Sequence, residues 1–165
     1  MPCYTRPEGP SRGSCVTAST CHIGGPPKEA DTVTIEYGAY GFGRKVPYPY
    51  DEAVEKTKAA LKTVGFGVLT EIDVKKTLKE KLNADFRRYT ILGACNPPLA
   101  HKALTTDFEI GLLLPCNVVV YEEGEGSVIR IMDPQAVLGI AKIESLAPLA
   151  ADVRSRLEKA LVSLG

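Results

Sequence analysis

Two cysteines sit in short motifs that could carry chemistry, Cys95-Asn96-Pro97-Pro98 and Leu114-Pro115-Cys116-Asn117. In the first, Asn-Pro is a helix start, with Asn as the cap and Pro at the first helical position. The pattern places the Cys95 thiol where a strand ends and a helix begins. Backbone N–H groups and the helix dipole favour negative charge there. A cysteine so placed can titrate low and serve as a thiolate. Cys116 follows 21 residues later, at the start of the next strand. If the two strands are antiparallel, both thiols lie at one end of the sheet; if parallel, they lie at opposite ends. Asn96 and Asn117 each follow a cysteine and could add hydrogen bonds, and His101 lies one turn inside the helix. The expected ligand-binding set is Cys95, Asn96, His101, Cys116 and Asn117. Cys95 and Cys116 are the catalytic candidates if the domain is an enzyme, which the residues leave open. A redox thiol pair, a metal or cofactor site and a covalent nucleophile are the chemistries this set allows. Against them stands simple packing, because free cysteines are among the most buried residues and both lie in apolar company, ILGAC and LLLPC.

The other three cysteines, Cys3, Cys15 and Cys21, fall with His22 in the first thirty residues. Five cysteines cannot all pair within one monomer. A zinc site wants closely spaced ligand pairs, whereas eleven and then five residues separate these three cysteines. Residues 1–30 hold five of the twelve prolines and lack both Leu and Phe. Such a segment is expected to be a disordered tail, since it cannot bury enough surface to offset its ordering entropy. Residues 31–165 are expected to form a single domain.

Composition narrows the function classes. The chain has 165 residues, 44% of them hydrophobic and 24% charged, which is ordinary globular usage. Twenty basic residues balance twenty acidic ones, which argues against a general nucleic-acid or anionic-membrane binder. The start of the chain carries no apolar run of the kind a secretory signal needs, and IGLLLP and VVVY are far shorter than a membrane span. The expectation is a cytoplasmic protein without membrane or nucleic-acid partners. No phosphate-binding loop, dinucleotide fingerprint or nucleophile elbow is present, and two histidines exclude a triple-histidine metal site. The cofactor is left unknown.

The elements that would position the cysteines follow from periodicity. Thr32 to Val46 reads as one strand, with Gly38, Gly41 and Gly43 marking an irregularity. Within it YGFGRK faintly echoes an RNA-binding strand, but the rest of that motif is missing, and Tyr40 and Phe42 are expected to pack. Asp51 is read as the cap of a helix to Val64, which Gly65 stops. Phe66 to Thr70 is a short strand. Asp73 caps a second helix bearing Val74, Leu78 and Leu82 on one face and a solvated lysine stripe on the other. Arg87 to Cys95 is a strand, and a helix runs on to about Leu104. After Pro115 a strand leads to a turn at Glu123 to Gly126 and a return strand, Ser127 to Met132. Asp133-Pro134 opens a short helical turn, and a final helix starts at Pro148. The tight hairpin means the sheet cannot be wholly parallel. An α+β two-layer sandwich fits, with a mainly antiparallel sheet and helices largely on one face.

Three blocks, GFGVLTEIDVKKTLKEKL (Gly65 to Leu82), YTILGACNPPLAHKAL (Tyr89 to Leu104) and IGLLLPCNVVVYEE (Ile110 to Glu123), closely resemble the Domain of Unknown Function 302 family, in its order and spacing. The resemblance spans roughly residues 40 to 165. It implies a compact α+β domain with a topology like that of the TATA-binding protein, assembled as a homodimer, and both cysteine motifs match the family pattern. It implies no settled activity. Function is therefore expected to be ligand, metal or protein binding near the two cysteine motifs. The alternatives are a thiol redox protein or enzyme using Cys95 and Cys116, and a self-associating module without a chemical site.

Overall fold

The computed structural model describes residues 34–141 and 144–165. The three early cysteines and His22 lie outside them. Six strands form one sheet in the order β1-β2-β6-β5-β4-β3, and every neighbouring pair is antiparallel. The expected single strand up to Val46 is instead a hairpin, β1 (Glu36–Tyr37) and β2 (Gly41–Val46). The Gly38 N–H donates to the Gly41 carbonyl at 2.8 Å and closes the turn between them. Phe42 packs as expected and is fully buried, whereas Tyr40 projects from that turn and is 89% exposed.

Helix α1 (Tyr50–Thr63) begins after Pro49 without a side-chain cap. Asp51, expected to be that cap, lies in the first turn and pairs with Arg88. Gly65 stops the helix as expected. It takes φ +85°, and the Phe66 N–H turns back to the Leu61 carbonyl at 2.9 Å. Strand β3 (Gly67–Asp73) runs longer than its apolar residues suggest, with a register shift between Val68 and Thr70. Asp73 caps α2 (Val74–Leu82) by accepting the Lys76 N–H at 2.9 Å. That helix buries none of its residues, and Leu82 is exposed.

Strand β4 (Tyr89–Cys95) passes into α3 (Pro97–Thr106), and a 3-10 helix (Phe108–Leu113) brings the chain back to β5 (Cys116–Glu123). Gly124, at φ +63°, turns β5 into β6 (Gly126–Met132). The expected helical turn after Asp133 is a full helix, α4 (Pro134–Ala141), and α5 (Ala147–Val162) closes the fold.

Alternation along the strands divides the sheet into two faces. Phe42, Leu92, Val118, Val120, Ile129 and Ile131 point to one side, where Val54 and Leu61 of α1 and Leu157 and Leu161 of α5 join them in the main core. Arg154 locks α5 to the sheet side. It pairs with Asp133 at 2.9 Å and with Glu158 at 3.0 Å, beneath the ring of Tyr37. A second, smaller core joins Ala103, Ile110, Leu146 and Leu149 beyond the end of the sheet. The opposite sheet face carries Tyr89 and Tyr121, stacked with ring centroids 5.5 Å apart, together with Ile91, Val119 and Arg130. The fold is α+β, with an open antiparallel sheet. Among the described residues no helix is long and apolar enough to cross a membrane.

Candidate functional site

The antiparallel arrangement holds for the two cysteine-bearing strands. Cys116 opposes Ala94 in the register of β4 and β5, so both thiols lie at one end of the sheet. The helix start at Asn96 forms as its sequence dictates. The Asn96 side chain accepts the Leu99 N–H at 3.2 Å and donates to the Gly65 carbonyl at 2.9 Å. One buried amide thus caps α3 and ties it to the stop of α1. On β4, Gly93 lets Pro115 approach; a Cβ there would stand 2.7 Å from the Pro115 ring. That contact seats the residue immediately before Cys116.

Between the sheet end and the smaller core lies a cavity of about 60 Å3. Ala94, Cys95, Asn96 and Cys116 border it from the sheet end, Leu99 and Ala103 from α3, and Leu149 and Val153 from α5. Its walls are almost wholly apolar, and the Asn96 amide beside it already has partners on both of its polar atoms. The sequence-based site did not include this far wall. Its one local signal is the spacing of Leu99 with Ala103 and of Leu149 with Val153, four residues apart on single helix faces.

Three of the five expected site residues meet here, and two do not. Asn117 follows Cys116 in an extended strand, so its side chain goes to the other face. There it is exposed and borders a groove with Tyr89, Val119, Tyr121 and Arg130. His101 lies between Leu99 and Ala103 on α3 and is exposed. Among the described residues no three His, Cys, Asp or Glu side chains stand together as a metal-ligand set.

Both cysteines are free thiols, Cys116 buried and Cys95 partly so. Helix-dipole reasoning favours a depressed thiol, and the surroundings do the reverse. Burial pushes the Cys95 thiol above its ordinary value. Burial, with a smaller contribution from the neighbouring Cys95, pushes Cys116 up to about 11. The helix start offers these thiols few donors, because Pro97 and Pro98 have no N–H and Asn96 accepts the Leu99 N–H. In the register Cys116 stands opposite Ala94, one residue before Cys95.

Comparison with known proteins fits this architecture. The family model described as "Domain of unknown function DUF302" matches residues 42–164. Among solved structures, the crystal structure of an uncharacterized conserved DUF302 protein from Bacillus stearothermophilus is similar. It has 33% identity and a TM-score of 0.70, over 74% of this chain and 95% of that one. Among curated proteins none matches. With the family match spanning most of the chain, and the fold and both cysteine motifs in place, this protein belongs to the DUF302 family, a domain of unknown function.

Proposed function

We propose that the domain binds a small apolar group in the cavity bordered by Cys95, Asn96 and Cys116. The observation that carries this reading is a recess whose walls are apolar and whose one amide already has its partners. Such a space offers an entering group contact area and asks nothing polar of it. Its size limits the guest. An engineered cavity that holds benzene measures about 150 Å3, so about 60 Å3 suits a methyl-bearing or short alkyl end of a molecule. The raised thiols support a packing role for the cysteines within this pocket, as weakly polar, polarizable wall atoms.

Xenon and 1-butanol are suitable probes, followed through methyl resonances of the full chain. Leu99, Leu113 and Val153 are expected to shift together, and Ala103→Leu, which fills the space, is expected to suppress the shift. Methyl shifts scattered over the surface, or unchanged in Ala103→Leu, would sink the ligand reading.

A specific observation favours a second reading, a homodimer formed through the open sheet face. Tyr40 and Ile72 are exposed at its margins, and the half-buried Tyr89, Val119, Tyr121 and Met132 lie between them around a groove of about 370 Å3. A formal net charge of zero leaves little long-range repulsion between two copies. Sedimentation of the wild type should give a dimer, and Val119→Lys should give a monomer. A monomeric wild type at the highest soluble concentration rules the dimer out.

A further inference from the structure

Arg44 is the fifth residue of YGFGRK and the hardest to explain by packing. In β2 it shares the helix-covered face with Phe42 and Val46, and it is only 6% exposed. A guanidinium has five N–H donors and stays charged. One of them, on Nη1, reaches the Leu161 carbonyl in the last turn of α5, at a long 3.4 Å. The Nε–H is buried without any hydrogen-bond partner. No carboxylate among the described residues stands within ion-pair distance of Arg44, whereas the neighbouring Lys45 pairs with Glu123 at 2.6 Å. A buried cation left in this state is costly, because water has been removed and nothing replaces it.

The guanidinium borders a space. A polar cavity of about 240 Å3 opens at the sheet edge, bounded by Thr34, Glu36, Arg44, Lys45, Tyr48 and Gly165. A single water needs on the order of 15 Å3 by the same kind of measure, so a group of several heavy atoms fits. The charges around it are uneven. Among the wall side chains, Glu36 faces Arg130 at 3.5 Å and Lys45 is held by Glu123 from outside the wall, while Arg44 has no ion-pair partner. The Tyr48 hydroxyl is already engaged, donating to the Leu164 carbonyl at 3.0 Å and lying 3.5 Å from the Gly165 oxygen.

We infer that this cavity is a binding site for a small oxyanion, a carboxylate or phosphate group, held by the fork of Arg44. The planar guanidinium matches two acceptor oxygens at once, and its terminal Nη nitrogens, unlike the sealed-off Nε, are the atoms that can present that fork to the space. Contact with the negative end of α5 holds the side chain in place without neutralising it. This site is separate from the apolar cavity beside the cysteines, and either can fail without the other.

The test is an NMR titration of the full chain with inorganic phosphate and, separately, acetate, at an ionic strength kept constant with chloride. The Arg44 Nε–H resonance should move and saturate with at least one anion, and the tighter of the two identifies the phosphate or carboxylate class. Arg44→Met should weaken that binding by roughly tenfold or more, as loss of a charge-assisted pair requires. Arg44→Lys, which keeps the charge and loses the fork, should weaken it as well. An Arg44 Nε–H resonance that neither anion moves beyond the chloride control overturns the assignment, whether or not the variants fold. So does equal affinity in a folded Arg44→Met.

Discussion

The domain contains two recesses built in opposite ways. Beside the cysteines, the space is apolar and the neighbouring polar group, the Asn96 amide, is satisfied on both sides. At the β1–β2 edge the space is polar, and the buried guanidinium of Arg44 lacks a partner at Nε. Hydrophobic burial tolerates the first arrangement at the modest cost of an imperfectly filled core. Desolvation penalises the second unless something arrives to complete it. The difference separates a gap in packing from a gap in charge, and the two call for different guests. It also separates them energetically. Residues around the first recess should matter to stability, and the central residue of the second should matter to binding.

The largest effect is expected at the cysteine end. Phe66 lines that cavity and is 2% exposed, so Phe66→Ala should cost about 3–5 kcal/mol in denaturant unfolding. A cost near zero would mean the recess is already loose, and the contrast with the Arg44 edge would collapse. The next effect is alkaline. Burial raises the folded Cys116 pKa to about 11 from 9.0. Above pH 9 the unfolded chain loses this proton first, so the folded state binds more protons and stability falls as pH rises from 9 to 11. The loss should reach about 2–3 kcal/mol and be much smaller in Cys116→Val, as measured by chemical unfolding at each pH. A flat profile would mean that Cys116 is solvated.

Asn96→Ala should cost about 1–2 kcal/mol, since it removes the cap of α3 and the tie to Gly65. Its thermal transition should fall without any change in anion binding. The smallest effect is reserved for Arg44→Met. In chloride buffer it should change unfolding free energy by less than about 1 kcal/mol, or raise it, because an uncompensated buried charge is removed. A loss comparable to that of Phe66→Ala would make Arg44 a structural strut and erase the distinction between the two recesses.

How much of this was legible in the sequence depended on which physical rule governed each element. Asn96-Pro97 marks a helix start by local chemistry alone, and the cap forms as written. Gly124 and the alternating apolar residues of β5 and β6 encode their hairpin in the same local way. The hairpin at Gly38 to Gly41 was hidden, because β1 is only two residues long and leaves no periodicity to read. Asp51 has the composition of a cap, but Pro49 and Tyr50 begin the helix first and Arg88 captures the carboxylate.

Within the site, adjacency in sequence misled. Cys116 and Asn117 cannot face the same side of a strand, and His101 cannot share the helix face defined by Leu99 and Ala103. Both exclusions were available from periodicity, without coordinates. The far wall of the cavity was not, because α5 reaches it only through tertiary packing. Arg44 offered one faint signal, a charge at an inward-facing position of GFGRKV.

The stacked Tyr89 and Tyr121 rings have a practical consequence. The chain contains seven tyrosines and no tryptophan, so phenol rings dominate its near-ultraviolet absorption. Two of them lie nearly parallel, 5° apart in plane, and couple as chromophores on the open sheet face. Their circular dichroism is therefore a built-in, label-free gauge of that face. It should respond when a second copy of the chain covers the sheet and remain silent when a guest enters the apolar cavity beside the cysteines.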